Sequence, residues 1–200
     1  MDTSSSASSS ANSDTNADDP TPRIARRLRE QRARRGWTLD DLAQRAGVSK
    51  AMLSKLERSE ASPTAALLGR ISGALGMTLS TLLAPDGAAG ARLVRRTEQP
   101  TWRDPATGYL RRQVSPLSDL PLQLIEVEFP PGAEVAYPAS AFAFIRQAIW
   151  VIAGTLEFAE GTHLHRLRPG DCLELGPAAD CVFANRSRAA CRYLVAVVKR

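Results

Sequence analysis

The sequence predicts an α + β protein of two domains, a small all-helical domain followed by an all-β barrel or sandwich. Apolar residues recur at helical spacing through residues 23–83, whereas beyond residue 91 they alternate in short runs broken by Pro and Gly. Between these regions lies a stretch rich in Ala and Gly. We expect a disordered Ser-, Ala- and Asp-rich tail at 1–22, domains at 23–83 and 110–198, and a linker at 84–109.

The first helix is predicted over Ile24–Arg35, with Gly36 as its stop. A fourth helix should open at Ser62-Pro63 and end at Gly76, and Thr78–Leu83 predicts a short fifth helix.

The second and third helices carry the most informative pattern in the chain. Thr38 is a predicted helix cap with Asp41 as its capping-box partner, and Gly47 fits a left-handed turn. Ser49 should cap the next helix, which is buried through Leu53 and leaves its other face exposed. Two short helices joined in this way are typical of a helix-turn-helix that lays its second helix in the DNA major groove.

Charge is concentrated on the same segment. Residues 23–83 hold twelve Lys or Arg and five Asp or Glu, a net charge of +7 in a chain whose net charge is +5. A basic domain of this kind fits binding to phosphates, because neutralising the DNA backbone releases counterions. The alternative is that the arginines only form a solvated helix face.

Residues 23–83 resemble the Cro/repressor-like, or XRE, helix-turn-helix family, with a five-helix lambda-repressor-like fold. The resemblance implies an ion pair between Arg32 and Glu57. It also implies that five residues of the recognition helix face DNA bases: Ser49, Lys50, Ala51, Ser54 and Lys55. Phosphate contacts are expected from four arginines: Arg26, Arg29, Arg35 and Arg58.

The second domain shows eight short runs that predict strands. They are Leu122–Phe129, Glu134–Tyr137, Ala148–Ile152, Leu156–Ala159, His163–Leu167, Cys172–Leu175, Cys181–Ala184 and Tyr193–Val198. The segment from Gln147 to Phe158 and the segment from Arg168 to Asn185 resemble the two cupin motifs, which implies a double-stranded β-helix barrel over residues 110–198.

The metal-ligand positions of a catalytic cupin are not filled. The resemblance places Gln147 at the glutamate position, Ser140 to Ala143 over two histidines, and Cys181 at the last histidine. We therefore expect no metal, no cofactor, no catalytic residue and no enzymatic activity. His163 and His165 share a strand face and are interpreted as solvated residues, with metal binding or pH sensing as the alternative. Cys181 is interpreted as a buried thiol rather than a redox sensor.

An effector pocket is predicted inside the barrel. Its expected lining is Phe142, Phe144, Gln147, Trp150, Cys181 and Phe183, with Arg146 or Arg192 as partners for an anionic effector. Core packing is the alternative role for the aromatic residues.

These observations predict a cytoplasmic, homodimeric transcriptional regulator that binds a double-stranded DNA operator and responds to a small-molecule effector. Three cysteines without metal-finger spacing fit a reducing compartment, and no run is long enough to cross a membrane. The alternatives are a cupin enzyme with an autoregulatory DNA-binding domain, and an antitoxin or phage-type repressor.

Overall fold

The computed structural model describes residues 19–87 and 90–199, and residues 1–18 of the tail predicted at 1–22 lie outside them. Five helices come first and ten strands follow, which confirms the predicted order of an all-helical unit and a cupin barrel. The helices are α1 Thr21–Arg34, α2 Leu39–Ala46, α3 Lys50–Glu57, α4 Ala65–Leu75 and α5 Leu79–Leu83.

Helix starts differ from the prediction at two places. Helix α1 begins at Thr21, inside the predicted tail, because the Asp19 carboxylate accepts a hydrogen bond from the Thr21 amide at 3.0 Å. Helix α4 begins after Thr64 rather than at Ser62-Pro63, because the Thr64 hydroxyl accepts from the Leu67 amide at 3.3 Å. In both cases a side chain satisfies a backbone donor that the first helical turn leaves free.

The barrel is built from two antiparallel sheets. Its strands are β1 Thr101–Arg103, β2 Leu110–Gln113, β3 Leu122–Phe129, β4 Glu134–Tyr137, β5 Ile145–Ala153, β6 Leu156–Glu160, β7 His163–Leu167, β8 Cys172–Glu174, β9 Cys181–Ala184 and β10 Cys191–Lys199. One sheet has the order β1-β2-β3-β10-β5-β8 and the other β4-β9-β6-β7. Phe183 of β9 stacks on Tyr193 of β10 at 6.2 Å between ring centroids, so the sheets share one core.

The segment 84–109, predicted as a linker, takes part in the barrel. It holds a 3-10 turn at Arg96–Glu98 and strand β1, which pairs with β2 at the edge of the larger sheet. Trp102 is buried there and packs edge-on against Tyr109 at 5.9 Å. An aromatic side chain with a large apolar surface fixes this part of the chain to the core.

Helix α4 lies directly on the barrel. A Cβ at Gly69 would stand 2.6 Å from Cε1 of Tyr137, and a Cβ at Gly73 would stand 2.9 Å from the carbonyl carbon of Ser140. The absence of side chains at these two positions, one helical turn apart, lets the end of β4 and the turn after it approach the helix backbone. The two units are therefore packed against each other in this structure.

Candidate nucleic-acid interface and interdomain cavity

The turn between α2 and α3 has the geometry that its sequence predicts. Thr38 accepts from the Asp41 amide at 3.1 Å, and the Asp41 carboxylate accepts from the Thr38 amide at 2.8 Å. The Thr38 hydroxyl also donates to the Asp41 carboxylate at 2.7 Å, and this bond, followed by that from the Thr38 amide, holds the pKa of Asp41 below its ordinary range. Gly47 ends α2 with φ of 62°, a left-handed conformation, and Ser49 caps α3 by accepting from the Met52 amide at 3.1 Å.

Helix α3 buries one face and exposes the other. Leu53 and Leu56 are buried in the helical core. Of the five residues expected to face DNA bases, Ser49, Lys50, Ala51 and Lys55 are exposed and Ser54 is half-buried. Met52 is also exposed on this helix, and sequence reasoning did not single it out although its apolar side chain is adjacent to Ala51.

Two cations beside this face are engaged by exposed carboxylates. Lys50 Nζ lies 2.6 Å from Asp40 Oδ2, and Arg58 Nε lies 2.6 Å from Glu60 Oε1 while Arg58 also contacts the Ser54 hydroxyl. The pair with Arg58 holds the pKa of Glu60 below its ordinary range. Exposed ion pairs stabilise a fold by about 1 kcal/mol at most, so these cations can exchange their partners for DNA at little cost.

Arg32 and Glu57 join α1 to the end of α3. The guanidinium donates from Nε and Nη2 to the two carboxylate oxygens, each at 2.8 Å, and from Nη1 to the Trp37 carbonyl at 2.9 Å. This hydrogen bond with Glu57 raises the pKa of Arg32. The pair fixes the orientation of α3 relative to α1, because a bidentate pair restricts the geometry of both side chains.

The four arginines expected at phosphates are all exposed. Three of them also bond within the domain: Arg58 contacts Glu60, Arg26 contacts Asp86 after α5, and Arg35 donates to the Leu75 carbonyl at 2.5 Å at the end of α4. An arginine near the C-terminus of a helix can donate to carbonyls that the last turn leaves free. Local sequence does not reveal that Arg35 makes such a contact with α4.

Two further basic residues lie near the turn and were not predicted as contacts. Arg45 stacks on Trp37 at 4.4 Å, and exposed Arg70 donates to the Gly47 carbonyl at 3.2 Å. Arg70 belongs to α4, so it ties the turn to the helix that lies on the barrel. Arg70 and Gly47 are 23 residues apart, so local sequence did not indicate this contact.

A cavity of about 110 Å³ lies between the barrel and helices α4 and α5. Of the six residues predicted to line a pocket, Phe142, Gln147 and Phe183 do so. Phe144, Trp150 and Cys181 are outside this lining. Trp150 lies on the outer face of β5 and is 48% exposed. The Cys181 thiol donates to the Ala179 carbonyl at 3.3 Å.

Sequence reasoning missed the charged residue of this cavity, Arg111 on β2. It is buried and donates from Nη2 to the Ser80 hydroxyl of α5 at 2.5 Å. Burial lowers the pKa of Arg111 and raises that of Tyr109 and Tyr193 in the same lining, so the tyrosines stay neutral. The predicted anion partners lie elsewhere, since Arg146 is 3.4 Å from Glu174 and Arg192 is 3.8 Å from Glu126 at the protein surface.

The residues at the cupin ligand positions do not fit a divalent metal. Gln147 offers a neutral amide, and burial raises the pKa of Cys181 to about 12, which keeps it a thiol. His163 is exposed and His165 stacks on Phe158 at 6.3 Å. Within residues 19–87 and 90–199, no three His, Cys, Asp or Glu side chains are grouped closely enough to hold a metal ion.

Comparison with known proteins identifies the helical unit. Residues 28–82 match HTH_3, a helix-turn-helix family, and form a domain of this type. The chain is 47% identical over 62 residues to the HTH-type transcriptional regulator SutR of Escherichia coli, and 36% identical over 61 residues to SinR of Bacillus subtilis. These matches span 31% and 30% of this chain and only 35% and 55% of the two relatives.

A solved structure extends the similarity to both units. An HTH_3 family transcriptional regulator from Vibrio cholerae is similar over 90% of this chain and 97% of its own, with 25% identity and a TM-score of 0.74. Among the described residues, no helix has the length and apolar character required to cross a bilayer.

One prediction is corrected by the comparisons. We expected from the missing ligand set that the chain is not an enzyme, yet the solved structures similar to it include an enzyme, the hydroxypropylphosphonic acid epoxidase of S. wedmorenis. It is 17% identical over 88% of this chain and 97% of its own, with a TM-score of 0.44. The exclusion of an enzyme is therefore withdrawn, and similarity at this level assigns the chain no reaction.

Proposed function

We propose that the chain is a sequence-specific DNA-binding transcriptional regulator of the XRE type. The observation that carries this proposal is the exposed face of α3, held by a capped helix-turn-helix within a domain of the HTH_3 family. A helix presented in this way fits the major groove, where base edges differ in their donors and acceptors. This function would place the protein in the cytoplasm, with its three free cysteines reduced.

In this proposal the residues of the interface have two roles. Lys50 donates to guanine O6 and N7 after leaving Asp40, and Ser49, Ala51, Ser54 and Lys55 complete the contact with base edges. Arg29 and Arg58 bind phosphates and set the register without reading sequence. Arg26 and Arg35 bind phosphates after exchanging their partners within the domain, Asp86 and the Leu75 carbonyl.

We also propose that the protein is a homodimer, as a two-fold operator requires. The outer face of the larger sheet carries seven apolar residues beside the charged Glu126, Arg146 and Arg192: Leu122, Leu124, Ala148, Trp150, Leu194, Ala196 and Val198. Trp150 is 48% and Val198 is 42% exposed. Large apolar side chains exposed among half-buried apolar neighbours are typical of a protein interface, and the same face of a second copy would cover them.

The cavity is the proposed effector site. Its walls come from both units, with Gly69, Ser72 and Ser80 on the helical side. A ligand there would contact α4, and Arg70 of α4 holds the turn that precedes α3. Binding in the cavity can therefore change how the recognition helices of a dimer are placed.

The experiment is a selection of genomic fragments by the full-length protein, followed by fluorescence anisotropy on the selected operator over a range of salt concentrations. Arg58→Ala should weaken binding to every sequence alike and lower the salt slope by about one. Arg166→Ala, an exposed arginine on β7 of the other sheet, is the matched control and should leave both quantities unchanged. No selected sequence, or equal effects of the two variants, would contradict the proposal.

A further inference from the structure

The guanidinium of Arg111 is buried in the cavity without a counter-charge. Arg111 is 9% exposed, and its guanidinium donates a hydrogen bond to the Ser80 hydroxyl. Within the part of the chain that the structure describes, no carboxylate forms an ion pair with it. A buried charge without a charged partner is costly, and a bound anion would offset that cost.

A second polar group in the same cavity also lacks a partner. Gln123 is 5% exposed, and its Oε1 has no hydrogen-bond partner among the described residues. Buried polar atoms are nearly always hydrogen-bonded in folded proteins. Gln123 lines the same cavity as Arg111, so this part of the wall is polar.

Strand register shows how charge and apolar surface are arranged. Arg111, Val127 and Tyr193 form one inward row across β2, β3 and β10, and the next row carries Ile125 and Val195. Adjacent inward rows are about 7 Å apart. An occupant therefore meets one cation at one level of the barrel and aliphatic side chains at the next.

The cavity limits the charge and the size of its occupant. Among the described residues that line it, Arg111 is the one charged side chain, which matches a single negative charge. Its volume of about 110 Å³ is somewhat below that of a cavity known to hold benzene, about 150 Å³, so about half a dozen non-hydrogen atoms fit.

We infer that this cavity binds a small monocarboxylate with a short apolar body, and that its carboxylate pairs with Arg111. The guanidinium fork matches the two oxygens of a carboxylate, and the aliphatic row takes the body of the ligand. Because Arg111 now bonds to Ser80 of α5, the ligand would share or replace this bond and so act on the helical unit. This last step rests on the proposed function, whereas binding itself does not.

Binding is tested by calorimetry on the full-length protein with acetate, butyrate and hexanoate as probes. Neutral butyramide and inorganic sulfate are the comparison ligands. We expect at least one carboxylate to bind more tightly than both. No carboxylate binding, binding of butyramide as tight as that of butyrate, or binding of sulfate alone would overturn the inference.

Arg111→Met separates the role of the charge from folding. It should weaken carboxylate binding about 10- to 100-fold, as expected for loss of a hydrogen bond to a charged group. Its melting temperature without ligand should not fall, because the variant removes an unpaired buried charge. Arg192→Met, on the outer face of the same sheet, is the control and should keep wild-type affinity.

Wild-type affinity in a folded Arg111→Met protein would overturn the assignment of this residue. If Arg111→Met unfolds, Val195→Phe, which fills the aliphatic row, should abolish binding while leaving the cation in place. Retained binding in that variant would overturn the placement of the ligand.

Regulation is tested on the operator with and without the carboxylate that binds. Occupancy should change the affinity of the wild-type protein for DNA about 5-fold or more, and that of Arg111→Met not at all. An unchanged wild-type affinity would overturn the regulatory step. Failure to bind any DNA, with or without the ligand, would instead contradict the proposed function, so the two failures are distinct.

Discussion

The Asp104 carboxylate of the barrel accepts a hydrogen bond from the Ala65 backbone amide in the first turn of α4, at 2.8 Å. Asp104 is buried, and its other oxygen accepts from the Thr107 amide at 2.9 Å and the Thr107 hydroxyl at 2.6 Å. The turn between β1 and β2 thus provides an acidic group at a helix N-terminus, where negative charge is favourable. One side chain fixes both the turn and the helix of the neighbouring unit.

Removing this group should destabilise the whole chain. We expect Asp104→Ala to lower the free energy of unfolding by about 1–3 kcal/mol, because it leaves buried donors without an acceptor. Thermal unfolding monitored by circular dichroism measures the effect. Asp171→Ala is the matched control, since Asp171 accepts from the Arg168 amide in an exposed turn of the barrel. Equal losses for both variants would contradict a role between the units.

The contact of α4 with Tyr137 predicts an unusual response to alanine. Gly to Ala inside a helix ordinarily raises stability by about 1 kcal/mol. Gly69→Ala should instead lower it by about 1–3 kcal/mol, because the new Cβ would overlap the Tyr137 ring. Denaturant unfolding checks the sign. Stability should recover in the double variant Gly69→Ala/Tyr137→Leu, and a stable single variant would contradict the packing described.

The outer face of the larger sheet predicts the oligomeric state. Trp150→Arg should convert a dimer to a monomer at micromolar concentration, because it places a charge in the proposed apolar interface. Light scattering after size-exclusion chromatography measures the mass. Leu164→Arg provides the control, as Leu164 is 60% exposed on β7 of the other sheet. A monomeric wild-type protein, or dissociation by both substitutions, would argue against this interface.

The capping box of α2 predicts a loss of stability in acid. The pKa of Asp41 in the folded protein is held below its ordinary value near 3.8, first by the Thr38 hydroxyl. Its contribution is therefore complete above the unfolded pKa and disappears as the pH falls through the folded pKa, below about pH 4. Wild-type protein should exceed Asp41→Asn in stability at pH 6, and the difference should shrink by pH 3. A difference independent of pH would contradict this prediction.

Local sequence predicted the helix-turn-helix because each of its determinants is local. Thr38, Gly47 and Ser49 act within a few residues of their own positions, so caps and turn could be recognised from type and spacing. The interior of the barrel was predicted less well. Arg111 occupies an inward position on β2 between Leu110 and Arg112, and a charged residue there hides the alternation that predicts a strand.

Contacts between the units could not be predicted either. The Gly69 contact with Tyr137 and the Asp104 contact with Ala65 join residues 68 and 39 positions apart in sequence. Such contacts depend on how the two folded domains pack against each other. Hydrophobic periodicity within either domain gives no information about that packing. The position of the cavity follows from that packing.

The role of α3 in reading DNA is tested most directly by methylation interference on the selected operator with wild-type protein and Lys50→Ala. Methylation of guanine N7 occupies the atom that Lys50 is proposed to contact in the major groove. We predict that it blocks the wild-type protein at one guanine of each half-site, and that Lys50→Ala loses interference at that guanine alone. Identical interference patterns for the two proteins would contradict the proposed contact between Lys50 and DNA.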